Sequence, residues 1–240
     1  MLEPMLSALV DLVLPGRCAG CGAVRVSAHA PLCLSCYEVL HQPPRDLRPR
    51  PAPPGLPSPW SVASYERPIR SAIVAYKEHG RVALARPLGG ALARAVTSAA
   101  AHTSRDPVLL VPVPSQRAGV RRRGFDPVDR LARAAVSALR ADGGAAQSLM
   151  LLRHTRSVSD QAALSASGRA VNLAGALEVV RDGRRAVRGR SVLLVDDVVT
   201  TGATLAEAAR ALRLAGVQVP CAAVIAATRR RGLAGVESEG

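Results

Sequence analysis

The stretch Val192-Leu-Leu-Val-Asp196-Asp197-Val-Val-Thr200-Thr201-Gly202-Ala203-Thr204 decides the fold. Ser191 to Val195 reads as a short strand whose apolar run suits burial on both faces, as in a parallel sheet. Two adjacent carboxylates end it, and a Thr/Gly loop follows. From Ala203 onward, Leu205, Ala208, Ala209 and Leu212 recur at helical spacing, and Gly216 is placed to stop that helix. In open α/β sheets, ligands bind beyond the carboxyl ends of strands. Backbone N–H groups of residues 201–204, at a helix N-terminus, suit a phosphate. The hydroxyls of Thr200, Thr201 and Thr204 can add hydrogen bonds, and Gly202 lets the backbone approach closely. Asp196 and Asp197 would repel a phosphate, so they suit sugar hydroxyls; a carboxylate there could also organise Mg²⁺. A bare Asp pair is as readily a solvated turn. The whole pattern specifies a site for a phosphorylated ribose.

Working outward, Val108–Val111, Leu149–Leu152, Ala176–Val180 and Val217–Ala227 read as further strands. Asp126 followed by Pro127 reads as the N-cap and first residue of a helix running toward Arg140. Strand–helix alternation predicts an α/β fold with a mainly parallel sheet flanked by helices.

Ahead of this lies a different kind of sequence. Cys18-Ala-Gly-Cys21 and Cys33-Leu-Ser-Cys36 are two CxxC pairs eleven residues apart. Such pairs place four thiolates on one tetrahedral zinc ion. Two disulfides or a redox pair are the alternatives. Four cysteine ligands leave no open metal position, so the module is structural or a docking site. Cys221 falls in an apolar strand pattern and reads as core. Between His41 and Pro59, eight of nineteen residues are proline. This excludes a regular helix or a central strand and suggests a semi-rigid linker. The expected organisation is thus an N-terminal helix and zinc module over 1–40, a linker over 41–60 and a main domain over 61–240.

The 240 residues carry 32 cations and 18 anions, for a net charge of +14. Residues 61–240 hold 27 of the cations and 14 of the anions, so the excess belongs to the main domain. An anionic partner and a compositional drift toward Arg both account for it. Lys77 is the only lysine, which invites a role as a compact point charge, an incidental surface lysine being the alternative. Aromatics are 2% of the chain, so the core is expected to be Ala, Val and Leu in close helix–strand packing. No apolar run reaches 18 residues, which excludes a membrane-spanning helix. Met1 to Leu14 reads as an amphipathic helix rather than a signal peptide, making the cytoplasm the default location.

These motifs together resemble the ComF family of competence-associated, type I phosphoribosyltransferase-like proteins. The resemblance runs from Leu12 to about Arg230. It includes Tyr65-x-x-Pro68-Ile69-Arg70, Tyr76-Lys77-x-x-Gly80, Val111-Pro112-Val113-Pro114, Arg122-Arg123-Gly124-Phe125 and Gln161-x-x-Leu164-x-x-x-x-Arg169-x-x-Asn172-x-x-Gly175. It implies phosphoribosyl pyrophosphate, or a nucleotide, as ligand with Mg²⁺. Asp196 and Asp197 would hold the ribose, Thr200 to Thr204 (with Gly202 and Ala203) the 5-phosphate, and Pro114, Ser115 and Arg117 the pyrophosphate. Asp196, Asp197 and Arg117 are the expected catalytic set. Gln161 and Arg169 would belong to a mobile loop over residues 153–169. Prolines around 112–114 would stiffen the pyrophosphate loop, where a cis peptide is conceivable. Arg121–Arg123 would add positive potential there, or form a solvated basic turn.

Relatives commonly carry Arg-Gly-Phe-Asn-Gln where this chain has Arg123-Gly-Phe-Asp-Pro127. That substitution puts ligand contacts at the helix start in doubt. Two functions follow from the resemblance. One is pentosyl transfer from the donor to an unidentified acceptor, linked to competence, DNA uptake or nucleotide metabolism. The other is non-catalytic handling of single-stranded DNA, with a helicase-like competence protein as a possible partner of the zinc module.

Overall fold

Alternation of side chains along β7 organises the molecule. In the computed structural model this strand spans Ser191–Val199. Residues 16–24, 30–101, 107–156, 173–181, 183, 187 and 191–228 are described. Val192 and Leu194 enter one hydrophobic core, while Leu193 and Val195 enter the other. A strand's period of two sends successive side chains to opposite faces, so the apolar run is buried on both sides as its composition demands.

The other elements, in chain order, are α1 (Leu34–Val39), β1 (Arg45–Asp46), β2 (Ser58–Ser64), α2 (Ile69–Glu78) and α3 (Ala85–Ala100). Then come β3 (Val108–Pro112), α4 (Arg117–Arg123), α5 (Pro127–Ala141), β4 (Ala146–Ser148), β5 (Leu152–His154) and β6 (Leu177–Val179). After β7, α6 (Ala203–Leu214) and β8 (Gln218–Ala227) close the described chain. Six strands form a sheet in the order β1-β2-β8-β7-β3-β4. All neighbours are parallel except β1 against β2. β5 and β6 pair separately as an antiparallel ribbon.

One face of the sheet is covered by α2, α3 and α5. The other carries α6 and the β5–β6 ribbon. The small-residue composition shows directly in this packing. A Cβ built on Gly89 of α3 would stand 2.4 Å from Ala134 Cβ of α5, so any larger residue would push the helices apart.

Three expectations change. Leu149–Leu152 is not one strand: β4 ends at Ser148 in the sheet and β5 begins at Leu152 in the ribbon. Residues 149–151 carry the chain from one to the other. Secondly, the proline-rich stretch is partly sheet. Arg45–Asp46 forms β1, and Ser58–Trp60 opens β2, an interior strand. Pro59 is tolerated because its carbonyl accepts from Leu47 N (2.9 Å), so its missing N–H faces the two-residue β1 and not β8. Thirdly, the cis X–Pro peptides among the described residues are Arg50–Pro51 and Arg67–Pro68, not those of the 112–114 loop. The helix expected over Met1 to Leu14 lies outside the described residues.

The cysteine segment packs into the main core instead of standing apart. Cys18, Ala19, Leu32, Cys36 and Leu40 belong to the same cluster as α2, α3 and β8. Arg81 donates to Arg17 O at 3.2 Å and Arg94 to His41 O at 2.8 Å. Cys221 is buried in β8, as expected of core. No described helix is long and apolar enough to cross a membrane.

Candidate functional site

The carboxyl end of β3 lies beside Val195, and β7 continues through Asp196 and Asp197 to Val199, so the carboxylates sit within the strand rather than ending it. Pro112 pairs with Val195, and Val113 N donates to Val195 O at 2.9 Å. The two loops singled out in the sequence therefore leave the sheet from adjacent parallel strands on one edge. That is where an α/β sheet binds ligands.

On the β7 side, Asp197 is buried and Asp196 is partly exposed. Asp196 Oδ1 accepts the N–H of Asp197 at 2.8 Å. Burial, and then the Asp197 charge beside it, push the Asp196 carboxyl well above the usual carboxylate range; Lys77 works against this. The loop then turns at Gly202, whose φ of 78° is costly for a side-chain-bearing residue. A Cβ there would also stand 3.0 Å from the Leu56 methyls. Gly202 caps α6, and Ala203 N donates to Thr201 Oγ1 across a long 3.4 Å. Thr228 steadies the loop's entry, donating from N to Val199 O (2.9 Å) and from Oγ1 to Thr200 O (3.1 Å). Thr200 is exposed and Thr204 half-buried.

On the β3 side, Asp126 organises the 114–117 loop. It caps α5 by accepting from Val128 N at 2.9 Å. It also accepts from Ser115 N (2.9 Å) and Ser115 Oγ (2.8 Å). The Asp-Pro variant thus keeps the helix start and grips the neighbouring loop with the same carboxylate. Ser115's hydroxyl proton is committed to Asp126. Arg117 is exposed and donates to His154 O at 3.1 Å. Arg122 and Arg123 turn back to Glu78 of α2, at 2.6 and 3.4 Å. Arg121 is exposed.

Three residues of this region escaped the sequence reading as site components, and a fourth, Lys77, was singled out there as a point charge without its partner. Lys77 Nζ lies 2.6 Å from Asp197 Oδ2. Burial alone would lower the Lys77 pKa, but the Asp197 carboxylate outweighs it and the net shift is upward. Its uniqueness among arginines was the available signal. His154 is buried, with a ring Nε2 3.0 Å from Pro114 O. A carbonyl only accepts, so Nε2 carries the proton and Nδ1 is left without a partner. Glu207, buried on α6, accepts from Leu177 N of β6 (3.1 Å) and binds Arg210 bidentately at 2.6 and 2.8 Å. Burial would raise the Glu207 carboxyl, but Arg210 and the Leu177 N–H bring it below its usual value. The third to escape is Asp126, read only as a helix cap. His154 and Glu207 make the β5–β6 ribbon a brace between the 114–117 loop and the helix that follows the 200–204 loop. Gln161 and Arg169 lie outside the described residues. Arg153 sits in β5 and pairs with Glu178 of β6 at 2.6 Å.

The cysteine cluster has the geometry of a metal centre. The four Sγ atoms lie within 4.8 Å of one another. A tetrahedral ion with Zn–S bonds of about 2.3 Å sets its sulfurs ~3.8 Å apart, and Cys21 and Cys33 are 3.7 Å apart. Residues 18–24 form a tight turn in which Gly22, at φ 80°, donates to Cys18 O. Burial alone would raise the Cys18 thiol. Backbone N–H groups of Cys21, Cys33 and Gly20 favour its thiolate and bring it to about 6. Cys36 is pushed up by burial and by the surrounding thiols. A bound cation would reverse that, since it favours the deprotonated form.

Comparison with known proteins agrees with this geometry. The family model described as "Phosphoribosyl transferase domain" matches residues 89–235. The chain is 31% identical to the DNA utilization protein YhgH of Escherichia coli (strain K12) over 212 residues, covering 85% of this chain and 82% of that one. It is 30% identical to the Salmonella typhi protein of the same name over 231 residues, covering 88% and 97%. A shorter match, 51% identical over 49 residues, is to the adenine phosphoribosyltransferase of Mycobacterium avium (strain 104), covering 20% of this chain and 27% of that enzyme.

Proposed function

The chain belongs to the phosphoribosyltransferase domain family, in its ComF-like branch with an N-terminal four-cysteine cluster, and from that premise we propose that it binds 5-phosphoribosyl 1-pyrophosphate and transfers the pentosyl group. One observation supports the reading: β3 ends beside Val195, the residue before the carboxylate pair, in parallel register with β7.

In this reading Asp196 and Asp197 accept hydrogen bonds from the ribose 2- and 3-hydroxyls. Backbone N–H groups of residues 201–204, at the positive end of α6, receive the 5-phosphate. Pro114, Ser115 and Arg117 receive the pyrophosphate. Ser115's N–H and hydroxyl both donate to Asp126, so its remaining lone pairs suit the Mg²⁺ that accompanies the pyrophosphate, while Arg117 has four N–H donors beyond the one on His154 for the anion itself. Mg²⁺ accompanying the donor would neutralise the diphosphate, and Asp196, partly exposed, offers the hard oxygen such an ion takes. The C1–O bond to pyrophosphate breaks with its electron pair leaving on the pyrophosphate, and the acceptor's nucleophile bonds to C1. The rate comes from positioning and from charges aimed at the leaving group. Calorimetry tests the reading: the wild type binds the donor with Mg²⁺, and the double variant Asp196→Asn, Asp197→Asn does not. Absence of heat from the wild type would overturn it.

The cysteine cluster is read as a structural zinc site, and the protein as cytoplasmic. The similarity to proteins named for DNA utilization supports a role in DNA uptake or use, with the net positive main domain as the contact surface. Single-stranded DNA is the alternative ligand. Its deoxyribose lacks the vicinal diol that two carboxylates would grip, so DNA is expected on the basic surface rather than at Asp196–Asp197. Such binding falls steeply with salt, and a gel shift at low salt with no retarded band argues against it.

A further inference from the structure

Lys77 stands in the last turn of α2 and is the chain's only lysine among 32 cations. Its Nζ lies 2.6 Å from Asp197 Oδ2, and the two partners are unequally enclosed: the aspartate side chain is 5% exposed, the lysine 31%. The carboxylate is shut in, and the lysine is the more open partner of the pair. An ammonium carries three N–H donors. The contact with Asp197 is an ion pair at 2.6 Å, which leaves at least two of the three donors for a second acceptor. The next residue, Glu78, holds Arg122 and Arg123 in the last turn of α4. That helix begins at Arg117, in the expected pyrophosphate loop. The end of α2 is therefore fastened both to the β7 carboxylates and to the helix that follows the β3 loop.

A lone counter-ion for Asp197 could be any cation of suitable reach. A partly exposed lysine paired with the expected ribose grip, one residue before the Glu78 that holds the helix after the expected diphosphate loop, does more. We propose that Lys77 contacts the bound donor, its ammonium bridging Asp197 and the donor's diphosphate. The inference rests on the phosphoribosyl reading and adds to it a residue from outside the two loops. Lys77 then ties the ribose grip to the leaving group and meets the negative charge that grows as the C1–O bond breaks.

The test uses the full chain and two probes with Mg²⁺: 5-phosphoribosyl 1-pyrophosphate by calorimetry, and ribose 5-phosphate, which lacks the diphosphate, by competition. Circular dichroism fixes the folded fraction. Lys77→Met is expected to weaken the donor at least tenfold and ribose 5-phosphate less than threefold, with Lys77→Arg recovering part of the donor affinity. Equal losses on both probes would reduce Lys77 to a counter-ion of Asp197 and overturn the inference, as would no loss on either. If Lys77→Met does not fold, Lys77→Gln, which keeps a neutral donor beside Asp197, is held to the same split. A wild type that binds no donor overturns the phosphoribosyl reading and the inference together. A wild type that binds, with unchanged Lys77→Met affinity, overturns the inference alone.

Discussion

The two candidate phosphate loops are built in opposite ways. The β7 side is contiguous: strand, carboxylates, Thr/Gly loop and helix occupy one run from Ser191 to Leu214. Among the described residues its long-range side-chain supports include Thr228 at the loop entry and Lys77 at Asp197. The β3 side is assembled from afar. Ser115 depends on Asp126, Pro114 on His154, and the helix after the loop on Glu78 of α2. A site half of whose geometry is local and half tertiary should respond unequally to damage. Substitutions on β7 should remove binding outright, whereas substitutions around β3 should loosen it.

The largest expected effect is on the local half. Asp196→Asn with Asp197→Asn should abolish donor binding in calorimetry while leaving the fold intact. Residual binding within tenfold of wild type would break the contrast. Next in size is removal of the metal proposed for the cysteine cluster. Because Cys18 and Cys36 share the core with α2 and α3, a chelator should lower the melting temperature of the whole chain in one transition. A melt in which the main domain is unaffected would show that the segment is an appendage after all.

Smaller effects are expected along the brace. Glu207→Gln should cost about 1–3 kcal/mol in urea unfolding, the worth of hydrogen bonds to a buried charge. Glu207's pKa is lowered in the folded chain. Its contribution is thus present above the unfolded carboxyl value of about 4.3 and is lost as pH falls through the lower folded value. The variant should show a flatter acid limb; an unchanged limb would remove Glu207 from the brace. The smallest effect is Ser115→Ala, about 0.5–1.5 kcal/mol for one hydrogen bond. Asp126 still caps α5 in that variant, so helix content should be unchanged. Donor affinity should fall by less than for the Asp pair, and an equal fall would erase the difference between the two halves.

The same split explains what the sequence disclosed. Ser191–Val195, the carboxylate pair, the Gly202 turn and the stripe of α6 were legible because their chemistry is spelled in adjacent residues. The four cysteines were legible through spacing. The Asp126–Pro127 helix start was readable as a cap, but its grip on Ser115 was not, since ten residues, a helix among them, intervene. Lys77 could be noticed as the lone lysine and as part of Tyr76-Lys77-x-x-Gly80, but its partner stands 120 residues away. Pro59 misled because prolines argue against interior strands. Only the pairing with Leu47 shows which way its missing N–H points. The run Leu149–Leu152 misled because a continuous apolar stretch does not record where the chain leaves one sheet for another.

A crystal structure of the protein with 5-phosphoribosyl 1-pyrophosphate and Mg²⁺ tests the central claim most directly. The account predicts the ribose hydroxyls on Asp196 and Asp197, the 5-phosphate on the N–H groups of residues 201–204, and the pyrophosphate against Ser115 and Arg117. A donor bound elsewhere, or seated with its diphosphate at the N-terminus of α6 and its ribose away from the carboxylates, would contradict it.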